Sequence, residues 1–404
     1  SVTSNCESIA VYNGTFENCT TATFTVPQGS LMPGVHAVIA TNPAPAGCAS
    51  SEPLNLTILA PPTLTEIQPE VVCSEQIDNN LVLTGEGFVV YDGTNPTVTI
   101  DGQDFESVAT GCSPITSVIN ADAQTCTQLD LTVPAGTLAA GELAISVTNP
   151  MPAGCTSTDA VTLAFVPPPV VTAIVEDLTC VETRTATVTV EGTGFLDISG
   201  TIPTVSFGGA AVTALSVDGC TLVAGTTNVQ TCTSIQVEIA MGALALGANN
   251  VQVENPAPAQ CGSVENVPLE VFAAPVVVDA QPVLFCTDAG DTALTLTGTD
   301  FLTVDGVPPT VEIGGQTFAA AVDATSCVAT SRANVQTCTT LTTTITQGSL
   351  TTGDATITVV NPAPVECPSS VNGSLLVGGP PNLVTTLPAA VCGGSTFDGV
   401  VRIQ

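Results

Sequence analysis

The sequence predicts an all-β protein made of tandem immunoglobulin-like β-sandwich repeats that form an elongated array. Three observations predict this fold class. Cysteines recur with a period of domain length, short apolar stretches alternate with polar residues, and glycine and proline punctuate these stretches. All three are typical of antiparallel sheets joined by tight turns.

The composition favours strands over helices. Of the 404 residues, 44% are hydrophobic, and glycine and proline contribute 35 and 30 residues. Valine and threonine dominate the apolar stretches, and branching at their Cβ atoms favours extended backbone. A chain of this length is sufficient for three or four domains.

The sixteen cysteines define the repeat. One set recurs at intervals of 107, 106 and 106 residues: Cys73, Cys180, Cys286 and Cys392. A second set lies 25 residues before the first: Cys48, Cys155, Cys261 and Cys367. The predicted domains are residues 1–60 (lacking the opening strands), 61–167, 168–274, 275–379 and 380–404 (opening strands only). We call the first four repeats 1 to 4 and the last the terminal segment.

One complete repeat, repeat 2, contains about seven predicted strands, as an immunoglobulin-like sandwich requires. In order they are Thr63–Val72, Leu81–Gly85, Pro96–Ile100, Ser107–Ala109, Leu129–Val133, Leu143–Thr148 and Val161–Val166. Leu143, Ile145 and Val147 share one side of their strand, and polar residues alternate with them. This alternation predicts one buried and one solvated face.

A fixed order of motifs runs through repeat 2. It consists of P-x-L-x-x-I-x-P (62–69), LTGEGF (83–88), TVTIDG (97–102), LDLTVPAG (129–136) and LAISVTNP (143–150). This order resembles the IPT/TIG domain, the immunoglobulin-like fold of plexin-type receptors and many bacterial surface proteins. The chain departs from that pattern in its first loop, where cysteines replace glycines, and at Pro134, which becomes Ala240 and Thr346. The resemblance implies the fold and an extracellular architectural setting, and it brings no catalytic site.

Eight cysteines form pairs that lie 11 to 14 residues apart: Cys6 and Cys19, Cys112 and Cys126, Cys220 and Cys232, and Cys327 and Cys338. The spacing within a pair varies while the flanking spacings stay constant, which indicates a loop between two strands. We expect a local disulfide to close each loop, contributing roughly 3 kcal/mol by the chain-entropy model.

The other eight cysteines are predicted to form long-range or inter-domain disulfides, and their pairing stays open between two alternatives. In an immunoglobulin-like domain Cys73 lies in the first loop and Cys155 in the last hairpin, at opposite ends of strands about 20 Å long, whereas a disulfide needs Cα atoms within about 7 Å. Bonds between neighbouring repeats, Cys73–Cys261 and Cys180–Cys367, satisfy this limit. The alternative is a Cys73–Cys155 bond inside one repeat with an atypical first strand.

Both ends of the sequence are incomplete sandwiches. Ser1 aligns with Ser107, so repeat 1 lacks its first three strands, and the terminal segment supplies two predicted opening strands, Asn382–Val391 and Val400–Gln404. The residues predicted to form a subunit junction are Asn382, Val384, Val391, Val400, Val401 and Ile403. Together the ends account for all of one repeat except the equivalent of residues 86–106. Either the terminal strands complete repeat 1 of a neighbouring subunit, or the sequence is a window of a longer array.

The charge and the missing side chains exclude several functions. Three arginines, no lysine and 36 acidic residues give a net charge of −33, which disfavours nucleic acid and anionic membranes. No apolar stretch is long enough for a membrane helix, so membrane insertion is not expected. With His36 as the single histidine and no Cys-x-x-Cys motif, we expect no enzyme activity, no cofactor and no metal site.

Sixteen cysteines predict passage through an oxidising compartment and an extracellular or cell-surface location. Four N-glycosylation sequons begin at Asn13, Asn18, Asn55 and Asn372. The leading functional hypothesis is a disulfide-stabilised subunit of an extracellular filament whose partners are copies of itself. The alternatives are the stalk of a cell-surface adhesin or receptor, touching other surface components, and a ligand-binding ectodomain.

Overall fold

The all-β fold class is confirmed by the structure, a computed structural model. It describes residues 2–11, 14–118, 121–158, 161–265, 267–387, 390, 396 and 398–403. Across these residues the regular elements are strands and one short 3₁₀ turn, Ala324–Ser326. Two compact bodies are present: residues 1–166 with 224–226, and residues 167–223 with 227–404.

Repeat 1 forms two separate two-stranded sheets. Its strands are β1 (Val2–Val11), β2 (Gly14–Thr23), β3 (Gly34–Val38) and β4 (Leu54–Ile58). β1 pairs with β2 and β3 with β4, both antiparallel. No described residue of repeat 1 for which burial is defined is buried.

Repeat 2 is a complete sandwich. Its strands are β5 (Thr63–Gln68), β6 (Val71–Cys73), β7 (Asn79–Tyr91), β8 (Thr97–Ile100), β9 (Gln103–Glu106), β10 (Val108–Thr110), β11 (Ser113–Pro114), β12 (Ala123–Val133), β13 (Gly141–Thr148) and β14 (Val161–Val166). One sheet has the order β10-β12-β7-β5, with β11 on β12, and the other has the order β6-β14-β13-β8-β9. Their inner faces enclose a core that includes Phe88, Leu129 and Ile145.

Repeats 3 and 4 share the plan of repeat 2. Repeat 3 contains β15 (Val170–Ile174), β16 (Leu178–Thr179), β17 (Ala186–Ile198), β18 (Thr204–Phe207), β19 (Ala210–Asp218), β20 (Thr221–Leu222), β21 (Val229–Ile239), β22 (Gly247–Glu254) and β23 (Pro268–Val271). Repeat 4 contains β24 (Val276–Gln281), β25 (Leu284–Cys286), β26 (Thr292–Val304), β27 (Thr310–Ile313), β28 (Gln316–Val322), β29 (Cys327–Ala329), β30 (Val335–Ile345), β31 (Gly353–Val360) and β32 (Gly373–Gly378). In both, one long strand (β19 or β28) pairs into both sheets, so each repeat has one continuous path of strands.

The terminal segment forms an antiparallel pair, β33 (Leu383–Leu387) and β34 (Val400–Ile403). The predicted strand Asn382–Val391 is therefore too long: Asn382 precedes β33, and Val391 lies outside the described residues. In repeat 2 the predicted strand Thr63–Val72 is two strands, which end and begin on either side of Pro69 because proline cannot donate to the ladder. The predicted strand Leu81–Gly85 extends to Asn79–Tyr91.

Close packing requires the first glycine of the LTGEGF motif, Gly85. A Cβ atom on Gly85 would lie 2.1 Å from the Thr63 carbonyl oxygen and 2.6 Å from Cζ of Phe88. The same conflict occurs at Gly192 and Gly298. A glycine therefore lets the first strand of each sandwich approach the second while the phenylalanine fills the core.

A buried asparagine connects this motif to the Asn-Pro hairpin. The Asn149 side chain accepts a hydrogen bond from the Val89 amide and donates one to the Gly87 carbonyl, each at 2.9 Å. Asn255 and Asn361 make the equivalent pairs of bonds in repeats 3 and 4. The two motifs recur together because one side chain satisfies two buried backbone groups of the other.

Candidate junction site

The four predicted local cysteine pairs are bonded: Cys6–Cys19, Cys112–Cys126, Cys220–Cys232 and Cys327–Cys338. Their Cα atoms are 3.9 to 4.0 Å apart. Cys6 faces Cys19 across β1 and β2, and Cys327 faces Cys338 across β29 and β30. Each bond therefore joins the start of a loop to the strand that follows that loop.

A fifth disulfide joins repeat 3 to repeat 4. Cys180 follows β16 in the first loop of repeat 3, and Cys367 lies in the Asn-Pro hairpin of repeat 4. Their Cα atoms are 5.8 Å apart, although the residues are 187 positions apart in the chain. We call the segment 177–184 the loop face of repeat 3. The hairpin face of repeat 4 comprises Leu302, Val304, Arg332, Val335 and residues 365–368.

An apolar cluster surrounds this bond. From repeat 3 it includes Leu178, Cys180 and Ala274, and from repeat 4 it includes Leu302, Val304, Val335, Val365 and Cys367. Cys180, Val365 and Cys367 are fully buried. Hydrophobic burial and the covalent bond therefore act on the same small contact.

Two ion pairs lie beside the cluster. Arg184 of repeat 3 contacts Glu366 of repeat 4 at 3.0 Å, and Arg332 of repeat 4 contacts Asp177 of repeat 3. The Thr183 hydroxyl also donates a hydrogen bond to the Pro368 carbonyl at 3.0 Å. Two of the three arginines of the chain thus lie at this junction. No motif of the sequence indicates this role for them.

The remaining cysteines divide into bonded and free. Cys73 and Cys261 are disulfide-bonded, as predicted. Cys48, Cys155 and Cys286 are free, so the prediction of long-range disulfides does not hold for these three within the chain. The alternative Cys73–Cys155 bond is therefore wrong, since Cys155 carries a thiol. Pairing of Cys73 with Cys261 stays a prediction, and Cys392 lies outside the described residues.

Two of the free cysteines, Cys286 and Cys48, lie on counterparts of the junction surfaces, and apolar residues beside them are exposed. The loop face of repeat 4 is segment 283–290, in which Val283, Leu284 and Cys286 replace Asp177, Leu178 and Cys180. Leu284 is 58% exposed, whereas Leu178 is 8% exposed. The hairpin face of repeat 1 consists of Phe16 and residues 46–48.

The hairpin face of repeat 1 is also exposed. Phe16 stands three residues before Cys19, as Val335 stands three residues before Cys338. Phe16 is 54% exposed, while Val335 is 2% exposed. Cys48 and Ala46 are likewise exposed, in contrast to their buried counterparts Cys367 and Val365.

The predicted subunit-junction strands present apolar side chains to solvent. Leu383, Val384, Leu387, Val400, Val401 and Ile403 are all exposed. Asp398 precedes Val401 by three residues, as Asp78 precedes Leu81, and the segment from Cys392 to Asp398 is one residue longer than the segment from Cys73 to Asp78. This alignment places Val401 and Ile403 at the positions of Leu81 and Leu83, which are buried in repeat 2.

The predicted glycosylation positions Asn18, Asn55 and Asn372 are exposed, and Asn13 lies outside the described residues. One cluster with metal-ligating residue types, Cys6, Glu17 and Cys19, occurs among the described residues, but its two sulfur atoms are bonded to each other. His36 is half-buried, with Nε2 2.7 Å from the Met32 carbonyl oxygen. Within the described residues, no helix has the length and apolarity that a membrane span requires.

No family model matches the sequence, and no curated protein matches it. Among solved structures, the chain is similar to the plexin A4 extracellular region, at 13% identity and a TM-score of 0.28 over 78% of this chain and 34% of that one. It is also similar to the Escherichia coli adhesin FdeC, at 15% identity and a TM-score of 0.22 over 80% of this chain and 100% of that one. The chain thus spans about a third of the plexin chain.

Proposed function

We propose that this chain is a structural subunit of an extracellular filament that assembles head to tail. The terminal strands β33 and β34 of one copy complete the open sandwich of repeat 1 in the next copy. One observation carries the proposal: the two ends expose apolar side chains at positions that are buried inside the complete repeats. Each end therefore holds part of the core that the other lacks.

The donor side is the terminal hairpin. Val401 and Ile403 occupy the positions of Leu81 and Leu83, whose side chains reach the centre of the repeat 2 core. Leu383 occupies the position of the buried Leu64. A two-stranded hairpin with an apolar face has little stability alone in water, so covering this face favours assembly.

The acceptor side is β2 and the residues that come after it. Relative to the local disulfide cysteine, Ala22, Phe24 and Val26 align with Leu129, Leu131 and Val133 of repeat 2. Two of these aligned pairs differ in solvent exposure: Phe24 and Val26 are exposed, while Leu131 and Val133 are buried.

The register of the complete repeat specifies how donor and acceptor meet. In repeat 2, Leu131 pairs with Leu81 and Leu129 with Leu83. Transferred to the junction, Val401 pairs with Phe24 and Ile403 with Ala22 of the next copy. Burying each large apolar side chain stabilises the contact by about 1.5–3 kcal/mol, and the new ladder satisfies an unpaired sheet edge.

Head-to-tail addition of this kind is a heterologous contact that does not close, so it produces a fibre. The disulfides within and between repeats suit a protein exposed to an oxidising exterior. The net charge of −33 keeps a long polymer soluble and opposes lateral aggregation. None of these features involves catalysis, and the proposed role is architectural.

Val401→Asp tests the proposal in the full-length protein. A carboxylate at a position that becomes buried on assembly opposes strand addition, so we expect filaments to disappear in electron microscopy and light scattering to fall to the monomer value. Val278→Asp is the matched control, since Val278 is 72% exposed on the complete repeat 4 and lies outside the proposed contact.

Filaments of normal length from the Val401→Asp variant would contradict strand addition. Equal loss of assembly in both variants would show that added charge, rather than position, prevents polymerisation. Either result would remove the donor role of β34.

A second candidate function is a spacer stalk for a cell-surface adhesin or receptor. The disulfide, apolar cluster and ion pairs between repeats 3 and 4 favour it, because they hold successive domains in one arrangement. Electron microscopy of the unmodified protein separates the two candidates: a stalk gives discrete particles at every concentration, and a filament subunit gives fibres whose length rises with concentration.

A further inference from the structure

We infer that Cys286 of one copy and Cys48 of the next copy form an intermolecular disulfide that locks the filament junction. The inference rests on the proposed head-to-tail assembly and specifies the covalent chemistry of that contact. It also gives a role to two of the three free cysteines.

The pairing rule comes from the bond between repeats 3 and 4. There, the first-loop cysteine of one repeat, Cys180, bonds to the hairpin cysteine of the following repeat, Cys367. Cys286 is the first-loop cysteine of repeat 4. In the proposed filament, the sandwich next to repeat 4 consists of the terminal segment and repeat 1 of the next copy, and its hairpin cysteine is Cys48.

Burial supports the same pairing. The two bonded cysteines of the internal junction are fully buried, whereas Cys286 is half-buried and Cys48 is exposed. Cys286 also lies at the end of β25, which pairs in parallel with β32. The sheet of repeat 4 therefore already holds this thiol in place before any partner arrives.

The apolar residues around both thiols are complementary. At the internal junction, Leu178 of the loop face and Val335 and Val365 of the hairpin face join one buried cluster. At the filament junction their counterparts are Leu284, Phe16 and Ala46, all of them exposed. Packing Leu284 against Phe16 and Ala46 of the next copy places the two thiols in contact range.

The ion pair between Arg184 and Glu366 has no counterpart at the filament junction. The ion-pairing residues Asp177, Arg184 and Glu366 of the internal junction are replaced by Val283, Gly290 and Gly47. These three positions therefore carry no charge at the filament junction, and the charged residue of segment 283–290 is the exposed Asp288. Phe16 and residues 46–48, the hairpin face of a second copy, are likewise uncharged.

Bond formation is a thiol–disulfide exchange that needs an external disulfide. One thiolate, of Cys286 or Cys48, attacks a low-molecular-weight disulfide or the disulfide of a thiol oxidoreductase and releases one thiol. The second thiolate then attacks this mixed disulfide and releases the second thiol. The two cysteine sulfurs are oxidised, the carrier disulfide is reduced to two thiols, and the two cysteine protons end on the released thiols.

The test uses filaments of full-length protein grown in a buffer of oxidised and reduced glutathione from equal amounts of isotopically heavy and light chains. Non-reducing digestion and mass spectrometry should yield a peptide pair joining Cys286 to Cys48, with hybrid pairs of one heavy and one light peptide. Hybrid pairs establish that the bond joins different copies. In the Cys48→Ser variant this peptide pair should be lost, while the Cys155→Ser control should retain it.

Two results would overturn the inference and distinguish it from the proposed function. Filaments in which Cys286 and Cys48 remain alkylatable thiols, or in which Cys286 bonds elsewhere, disprove the lock and leave strand addition standing. Failure of the unmodified chain to form filaments in the glutathione buffer and in a fully reducing buffer disproves both the disulfide lock and the strand addition. A Cys286–Cys48 pair that is never hybrid would show a bond within one chain.

Discussion

The loop faces of repeats 3 and 4 have equivalent positions in two sandwiches of the same plan, yet their surroundings differ. In repeat 3 the face is covered by the next repeat, and Leu178 and Cys180 are buried. In repeat 4 the counterparts Leu284 and Cys286 are accessible, and the cysteine is free. Equivalent apolar positions are therefore buried where another sandwich covers them, as in repeat 3, and accessible in repeat 4.

The loop faces of repeats 3 and 4 also differ in their charged residues. The covered face contains Asp177 and Arg184, and each pairs with an opposite charge of repeat 4. The open face has Val283 and Gly290 at these positions. Charge pairs therefore occur at the junction inside the chain, whereas the open face has uncharged residues at these two positions.

Removing the internal disulfide should have the largest effect. The Cys180→Ser, Cys367→Ser double variant opens a loop of 187 residues, for which the chain-entropy model gives a loss of about 5 kcal/mol. Denaturant unfolding of the soluble chain measures it. Cys286→Ser is the control on the open face and should change the free energy of unfolding by less than about 0.5 kcal/mol. Equal effects would mean that the covered and open faces do not differ in this way.

A buried charge at the hairpin face should come next. In Val365→Asp, a carboxylate enters the apolar cluster, and we expect a loss of about 3 kcal/mol because the charge has no partner there. Ala46→Asp places the same group at the equivalent exposed position of repeat 1 and should leave the monomer unchanged. Thermal unfolding of the unpolymerised variants measures both losses of stability. A larger loss for Ala46→Asp than for Val365→Asp would contradict the difference between the covered and the open hairpin face.

Loss of one ion pair should have the smallest effect. Arg184→Met removes the contact with Glu366, and because both side chains are partly exposed we expect at most about 0.5 kcal/mol. The difference from the unmodified protein should shrink further as salt is added, since salt screens exposed charges. Denaturant unfolding at low and high salt measures it, and a salt-independent loss would indicate that packing of the arginine stem matters more than its charge.

The repeat itself was predictable from local information. The cysteine period, the glycine and phenylalanine of LTGEGF and the Asn-Pro hairpin each reflect a contact within one repeat, so they return at every copy of the contact. The four local disulfides arise from the same logic, because a loop of 11 to 14 residues brings its own ends together. The strand boundaries were less accurate, since Pro69 and the paired ladders of β7 set them.

By itself, the sequence determined the fold class, the repeat length and the closing of each cysteine loop, since these depend on residues close together along the chain. Only the tertiary structure decided between the two long-range pairings, which of the cysteines stay free, and why two arginines lie beside Cys180 and Cys367. These facts join residues up to 187 positions apart. No local pattern encodes which distant surfaces meet, because that choice depends on how whole sandwiches pack against each other.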